Sequence, residues 1–327
     1  MMALLDRPLA FAGRNGPLLL LFGVLVGLVA PLLADFAYPL MGVAVFVFTL
    51  GAFLKVDAAA FKAEAADWRT IVAILAWAAF GVPLLACALV RIMPPDPELA
   101  TGLLLCTLAP PVGSAAAIAA MLELSAPLAL LATVVPTLAA PFYLPPLAAL
   151  LADASLAINP VALSLRLGAI VGGAALASWL LRRFTGRWVT ANPNAMTGIA
   201  VLGLLLVGLG AMHGMRAQVL SQPGRAGLLL TLAFATNAGF QAIGALLFSA
   251  SGRTRALTVG LVSGNRNITL IWSAAAPFLV DQPGVELFLA MAVFPIFMLP
   301  AATRRLFCAL QRNGGAAPQV VAVRVRR

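Results

Sequence analysis

Long apolar runs with few or no charged residues follow one another along almost the whole chain. Because a helix rises 1.5 Å per residue, about 20 apolar residues cross the roughly 30 Å of hydrocarbon in a bilayer. Ten such runs predict an all-α integral membrane protein with ten transmembrane helices and no inserted soluble domain. The predicted spans are residues 17–34, 37–54, 70–90, 99–122, 126–152, 161–181, 195–213, 226–250, 256–280 and 285–303.

The fourth apolar run is interrupted near its middle by the sequence APPVGS. Pro110 and Pro111 cannot donate backbone hydrogen bonds, and their rings clash with the preceding turn. The helix is therefore predicted to unwind here and to resume after Gly113, with Ser114 as the N-cap of the second half. A simple proline kink is the alternative. Unwound backbone at this depth is tolerated only where it is buried in protein or lines a cavity.

The ninth run is interrupted by SGNRN, in which Gly264 loosens the helix before Asn265, Arg266 and Asn267. An arginine near the middle of a membrane span costs about 2.5–3.5 kcal/mol on insertion scales, so it faces a cavity or a partner. No carboxylate is predicted in the middle of any span. The cation, together with the positive ends of neighbouring half-helices, therefore predicts an anion site. The alternative is a structural role, in which Arg266 binds carbonyls of the other interrupted helix.

The two interruptions belong to a repeated pattern. The second interrupted run comes five helices after the first, and this odd step reverses the direction in which it enters the membrane. Each interrupted run is followed by a helix with two prolines five residues apart. The pattern predicts two inverted five-helix repeats with crossing broken helices and the transport site at the breaks. The predicted organisation is a cytoplasmic N-terminal segment 1–16, a first repeat 17–153, a second repeat 160–310 and a basic cytoplasmic tail 311–327.

Polar residues of neighbouring spans are candidates for the lining of this site. Asn237 and Gln241 lie about one turn apart in the eighth span, and Thr133 lies in the fifth. They are predicted to help bind substrate, and hydrogen bonding between helices is the alternative. The three cysteines show no disulfide or metal-ligand spacing, so no metal or cofactor is predicted. No arrangement of nucleophile and base suggests an enzyme.

Charged residues are scarce, at 10% of the chain against about 25% in soluble domains, and they are unevenly distributed. Sixteen of the 21 lysines and arginines fall at the termini or in loops that a cytoplasmic N-terminus places inside, and four fall outside. This positive-inside asymmetry predicts that both termini are cytoplasmic. The net charge of +10 therefore sets topology and meets anionic membrane lipids, and no nucleic-acid partner is predicted.

Four stretches resemble the bile acid:sodium symporter superfamily, which also includes arsenite and auxin-type carriers. They are VFTLGAFLKVDAAAFK, FGVPLLA, APPVGSAAA and GLVSGNRN, and the resemblance covers about residues 15–310. It implies that spans 1, 2, 6 and 7 form a panel and that the other spans form a core. In this family, spans 4 and 9 are unwound where they cross, and substrate binds beside the crossing.

The chain departs from the sodium-coupled members of this family. Their Ser-Asn pair after the first break corresponds to Ala116 and Ala117, and their span 9 Glu and Gln correspond to Val262 and Arg266. A Gln of their span 3 corresponds to Ala78. Loss of the carboxylate removes most of the attraction for Na⁺, and a guanidinium repels it. Sodium is therefore not expected, and Arg266 is predicted to supply the positive charge that bound sodium supplies in those relatives.

These patterns predict a secondary active or facilitative transporter of the bacterial inner membrane that moves a small organic anion by alternating access. Arg266 is expected to hold the anion, helped by Asn265, Asn267, Gly113 and Ser114. One alternative is a sodium-coupled symporter with displaced ligands. Another is a membrane sensor that binds without transporting. Uniport, exchange and proton coupling all stay open, as does the oligomeric state.

Overall fold

The computed structural model describes residues 2–14, 16–56, 58–151 and 158–312, and within these ranges the regular elements are helices. The first ten are α1 (Met2–Arg14), α2 (Gly16–Val29), α3 (Pro31–Ala37), α4 (Met41–Leu54), α5 (Ala58–Ala65), α6 (Trp68–Ala76), α7 (Val82–Ile92), α8 (Pro97–Leu108), α9 (Ala115–Met121) and α10 (Ala126–Leu151). The remainder are α11 (Pro160–Leu167), α12 (Gly173–Ala191), α13 (Pro193–Gly210), α14 (Met215–Ser221), α15 (Pro223–Leu247), α16 (Arg253–Gly264), α17 (Ile268–Ala275) and α18 (Pro283–Arg312). The predicted repeat boundary at residue 153 and residues 313–327 of the predicted tail lie outside the described ranges.

Short 3-10 or π segments join some of these helices into longer ones. Tyr38–Leu40 connects α3 to α4, Trp77–Gly81 connects α6 to α7, and Gly168–Gly172 connects α11 to α12. Among the described residues, seven helices are then long and apolar enough to cross a membrane. They are Pro31–Leu54, Trp68–Ile92, Ala126–Leu151, Pro160–Ala191, Pro193–Gly210, Pro223–Leu247 and Pro283–Leu310.

The other three predicted spans differ from single long helices. In place of the first span lies α2, which has 14 residues. The fourth span consists of α8 and α9, and the ninth of α16 and α17, because the backbone leaves the helical conformation at each predicted interruption. Unwinding at both interruptions is thereby confirmed, and a simple kink is excluded.

The helices pack in two groups. The first helix group comprises α1, α2, α4, α12 and α13, and the second comprises α8, α9, α10, α15, α16 and α18. Within the first group, α4 and α13 approach closely at two glycines. A Cβ on Gly51 would lie 2.5 Å from the amide nitrogen of Ala200, and a Cβ on Gly203 would lie 2.5 Å from that of Phe48. Small residues permit such backbone contact between membrane helices.

The segment 1–16, predicted as a cytoplasmic N-terminal segment, contains α1 packed on α13. A Cβ on Gly198 would meet the backbone of Leu9, and a Cβ on Gly13 would meet that of Asn194. The N-terminal residues therefore form part of the first helix group.

Polar contacts between loops agree with the predicted sidedness. Each of four contacts joins two segments that the charge distribution assigns to one side of the membrane. On the predicted cytoplasmic side they are Arg255 to Asp67 (2.6 Å) and Arg182 to the Leu54 carbonyl (2.6 Å), and on the opposite side Arg225 to Glu98 (2.5 Å) and His213 to Asp35 (2.7 Å). The hydrogen bond from Arg255 holds the pKa of Asp67 below its usual value.

Candidate substrate site

The two unwound segments lie against each other and exchange backbone hydrogen bonds. The Val112 N–H donates to the Asn265 carbonyl (2.9 Å), and the Asn267 N–H donates to the Pro110 carbonyl (2.7 Å). This is a one-residue antiparallel bridge between Pro111 and Arg266. Each break thus supplies the partners that the other lost on unwinding, which is how non-helical backbone is tolerated at this depth.

Prolines determine which carbonyls around the breaks are left free. In an α-helix the Thr107 carbonyl would accept from the amide four residues later, which is Pro111 and has no N–H. The π segment places the Val82 N–H on the Trp77 carbonyl, five residues back. The next amide in that register belongs to Pro83, so the Ala78 carbonyl also lacks a helical donor.

Arg266 binds these two free carbonyls. Its Nη2 donates to Ala78 at 2.7 Å and to Thr107 at 2.9 Å. The side chain is 1% exposed, and Nε and Nη1 have no partner within the part of the chain that the structure describes. No described carboxylate lies within ion-pair distance of it. The structural role that the sequence kept as an alternative is therefore present, and three N–H donors stay unused.

The space beside Arg266 is small. A cavity of about 10 Å³ touches Arg266, Thr107, Asn237 and Phe240. This is about the volume that one water molecule needs. In this conformation Arg266 therefore has no room beside it for an organic anion.

Asn237, Gln241 and Asn265 form a buried network at the second break. Asn237 Nδ2 donates to the Gly264 carbonyl and to Asn265 Oδ1, both at 3.0 Å. Gln241 Nε2 donates to Asn237 Oδ1 at 2.6 Å. These bonds hold the end of α16 against α15 and agree with the alternative of hydrogen bonding between helices.

Asn267 and Thr133 also bind the backbone of the breaks. Asn267 Oδ1 accepts from the Leu270 N–H at 3.3 Å and thereby caps α17. The Thr133 hydroxyl donates to the Ala129 carbonyl at 2.8 Å and lies 3.4 Å from the carbonyl of Val112. Both side chains therefore stabilise the unwound geometry.

A cavity of about 240 Å³ lies between the two helix groups. Gly113 and Ser114 line it, so two of the predicted substrate-binding residues border a space of ligand size. A Cβ on Gly113 would lie 3.0 Å from both Ala52 Cβ and Phe48 Cζ, so only glycine fits this approach without rearrangement. The other lining residues are Gly13, Phe48, Lys55, Ala117, Ile118, Met121, Thr197, Ala200, Val201, Leu204, Phe297, Pro300 and Ala301.

Ser114 occupies the predicted N-cap position of α9, but its hydroxyl makes no capping bond. Its Oγ is buried and has no partner among the described residues. The proposed capping role is therefore wrong. The backbone at this residue has nearly helical angles, which direct the side chain away from the first amides of α9.

Lys55 is a charged residue of this lining for which the sequence predicted no role in the site. It follows directly on the apolar span Pro31–Leu54 and is partly buried. Desolvation lowers the pKa of its ammonium group to about 8. A lysine at the end of a membrane span usually reaches toward the lipid surface, and no local sequence signal distinguishes it from one that turns into a cavity.

The described chain, with seven apolar helices long enough to cross a bilayer and two broken helices between them, is that of a multi-pass membrane protein. Residues 42–223 match the sodium bile acid symporter family. The match covers more than half of the 327 residues, so the chain belongs to this family of transporters. It includes the first break and ends before Arg266. A comparison with curated proteins found no match.

Proposed function

We propose that this protein carries a small organic anion across the bacterial inner membrane by alternating access and without sodium. The observation that carries the proposal is the position of Arg266, whose guanidinium binds two carbonyls freed by prolines where the broken helices meet. Carbonyls of unwound helices are the groups that coordinate Na⁺ in secondary transporters. A covalently attached cation at such carbonyls makes a bound ion unnecessary.

Electrostatics support sodium independence. Two unit charges about 4 Å apart repel by roughly 4 kcal/mol at the effective dielectric constant of a protein near its surface. Ala78, Ala116, Ala117 and Val262 contribute no side-chain oxygen where the resemblance places sodium ligands. Among the displaced ligands of the sodium-coupled alternative, the Asn237 side-chain oxygen already accepts a hydrogen bond from Gln241 Nε2 at 2.6 Å.

The packing of the helices supports alternating access. The 240 Å³ cavity has α4 and α13 of the first helix group on one wall and α9 and α18 of the second group on the other. The bond pattern at the breaks supports two inverted five-helix repeats, because each break satisfies the other in an antiparallel sense. Rocking of one group against the other would open such a cavity to either side. The excess of basic residues supports cytoplasmic termini.

Uptake by reconstituted protein tests this proposal. Labelled monocarboxylates of four to ten carbons are offered to proteoliposomes with an inward gradient of either NaCl or choline chloride. We expect equal uptake in the two salts, because Arg266 already supplies the positive charge. Uptake that rises with the sodium gradient would refute sodium independence, and binding without flux would favour the sensor alternative.

Variants at residue 266 supply the matched comparison. Arg266→Ala should abolish uptake in both salts, since the two freed carbonyls lose their donor and the crossing of the broken helices loses its positive charge. Arg266→Lys keeps a charge with three donors and should retain part of the activity. Full activity of Arg266→Ala in choline chloride would contradict the role proposed for the arginine.

A further inference from the structure

We propose that Lys55 and the Ser114 hydroxyl bind the anionic group of the substrate at one end of the 240 Å³ cavity, and that the substrate is a compact monoanion with an apolar body. This inference rests on the proposed transport function and names the group that contacts the ligand. In this inference Arg266 supplies a positive charge at the breaks without contacting the substrate, and Lys55 contacts the substrate.

Lys55 is not required at the end of its own helix. The carbonyls that α4 leaves open at its C-terminus are bound by Arg182, whose Nη2 donates to Leu54 and Val56 at 2.6 Å each. Arg182 is itself a cation, so it cannot serve as a counter-ion for Lys55. No described carboxylate lies within ion-pair distance of Lys55. The partly buried ammonium of Lys55 is therefore needed neither by the helix carbonyls nor by a carboxylate, and an anionic ligand would stabilise it.

Ser114 lines the same cavity as Lys55. Gly113 packs against Ala52, and Ala52 precedes Lys55 by three residues, or about one helical turn. The residue before Ser114 therefore packs against the last turn of α4, which Lys55 directly follows. The Ser114 hydroxyl is buried and has no described partner. One carboxylate can accept hydrogen bonds from both groups, which satisfies two donors that are otherwise left unpaired.

The other lining residues of the cavity indicate what kind of molecular body the ligand has. Apart from Thr197, the other lining residues carry no polar side chain; they are Gly13, Phe48, Gly113, Ala117, Ile118, Met121, Ala200, Val201, Leu204, Phe297, Pro300 and Ala301. A second carboxylate would meet no cation on this wall and would be expensive to bury. The volume is slightly below the roughly 300–1,000 Å³ of sites for drug-sized ligands, which favours a compact molecule. These features select an apolar monocarboxylate over a dicarboxylate.

Binding of defined probes to the full-length protein in detergent tests the inference. Octanoate is the monoanion, succinate the dianion and octylamine the cation, each titrated at pH 7 by calorimetry. We expect octanoate to bind and the other two to bind at least tenfold more weakly. Equal binding of succinate, or no binding by any monocarboxylate of four to ten carbons, would overturn the assigned substrate class.

Variants separate Lys55 from other basic residues. Lys55→Met should weaken octanoate binding about tenfold or more, because a charge-assisted hydrogen bond is lost. Ser114→Ala should weaken it less. Lys62→Met, on the exposed face of α5, is the matched control and should change nothing. Unchanged octanoate affinity in Lys55→Met would overturn the assignment of the residue.

Two further measurements distinguish this inference from the proposed function. Octanoate affinity should fall as pH rises through about 8 in the wild type, because Lys55 loses its charge there, and should persist in Lys55→Arg. A pH profile that is the same in both proteins would count against Lys55.

If octanoate binds through Lys55 but uptake needs sodium or does not occur, the proposed function fails and the site stands. If Arg266→Ala abolishes binding while Lys55→Met does not, the site fails and the proposed function stands.

Discussion

Arg266 connects three parts of the structure through one nitrogen. Its Nη2 reaches Ala78 at the π segment and Thr107 at the end of α8, while its backbone belongs to the second break. The charge is stabilised by carbonyl dipoles, and the residue borders a space about the size of one water. At the scale of single residues, the arginine therefore acts as a tethered cation that holds the crossing together.

Gly264 shows how little free space the second break has. In Gly264→Ala, the new Cβ would collide with the Asn237 carbonyl and lie 2.6 Å from Gln241 Cγ. We expect a loss of about 1–3 kcal/mol of stability from this overpacking. Gly239→Ala in α15 is the control, because a Cβ there meets nothing within 4 Å. Thermal unfolding in detergent measures both, and a Gly264→Ala midpoint equal to that of the control would contradict the packing described.

Burial of Lys55 also predicts how stability depends on pH. Its pKa falls from an ordinary 10.5 to about 8, so between these values the unfolded chain is protonated there and the folded protein is not. Stability must then rise with pH across this window, since the unfolded state binds more protons. The thermal midpoint of ligand-free wild type, minus that of Lys55→Met, should increase from pH 8 to pH 10. A flat difference would show that Lys55 is solvated.

At the scale of elements, the π segment Trp77–Gly81 and the two breaks together form the binding site for the Arg266 guanidinium. The π register and Pro83 free the Ala78 carbonyl, while Pro111 frees that of Thr107. Trp77 Nε1 also donates to the Ser263 hydroxyl at 2.8 Å, which joins the π segment to α16. The extra residue in the π turn thus leaves the Ala78 carbonyl free to accept from Arg266, which lies 188 residues away in the chain.

Pro83→Ala tests whether the free Ala78 carbonyl is needed, because the substitution restores an amide donor at the π segment. The new N–H can bind the Ala78 carbonyl and compete with Arg266. We expect uptake to fall severalfold while the thermal midpoint is unchanged or higher, since the helix becomes more regular. Pro146→Ala, at an exposed proline of α10, is the control and should leave uptake unchanged. Full uptake by Pro83→Ala would show that the second acceptor is dispensable.

At the scale of the whole molecule, the two helix groups meet around the cavity. Loop contacts such as Asp67 with Arg255 join segments on one side, and Glu98 with Arg225 joins segments on the other. Thr197 of α13 and Lys55, which directly follows α4, both line the cavity next to cytoplasmic loops of the predicted topology. The described conformation is therefore expected to be accessible from the cytoplasm.

Cysteine labelling tests this orientation. In a background with Cys87, Cys106 and Cys308 replaced by Ser, Thr197→Cys should react with a membrane-impermeant maleimide in inside-out vesicles and not in right-side-out vesicles. Arg225→Cys, at the other end of the molecule, should react in the reverse pattern. Labelling of Thr197→Cys from the outside alone would invert the proposed topology.

The sequence by itself determined the membrane class, the positions of both breaks and the charge of the residue at the second one. These depend on hydrocarbon thickness and on backbone donors removed by proline, and both act within a short stretch of chain. Only the tertiary structure decided that Arg266 binds Ala78 and Thr107, and that Lys55 and Ser114 share a cavity. Those contacts join residues tens to hundreds of positions apart, and they depend on which helix faces pack together, which local sequence does not specify.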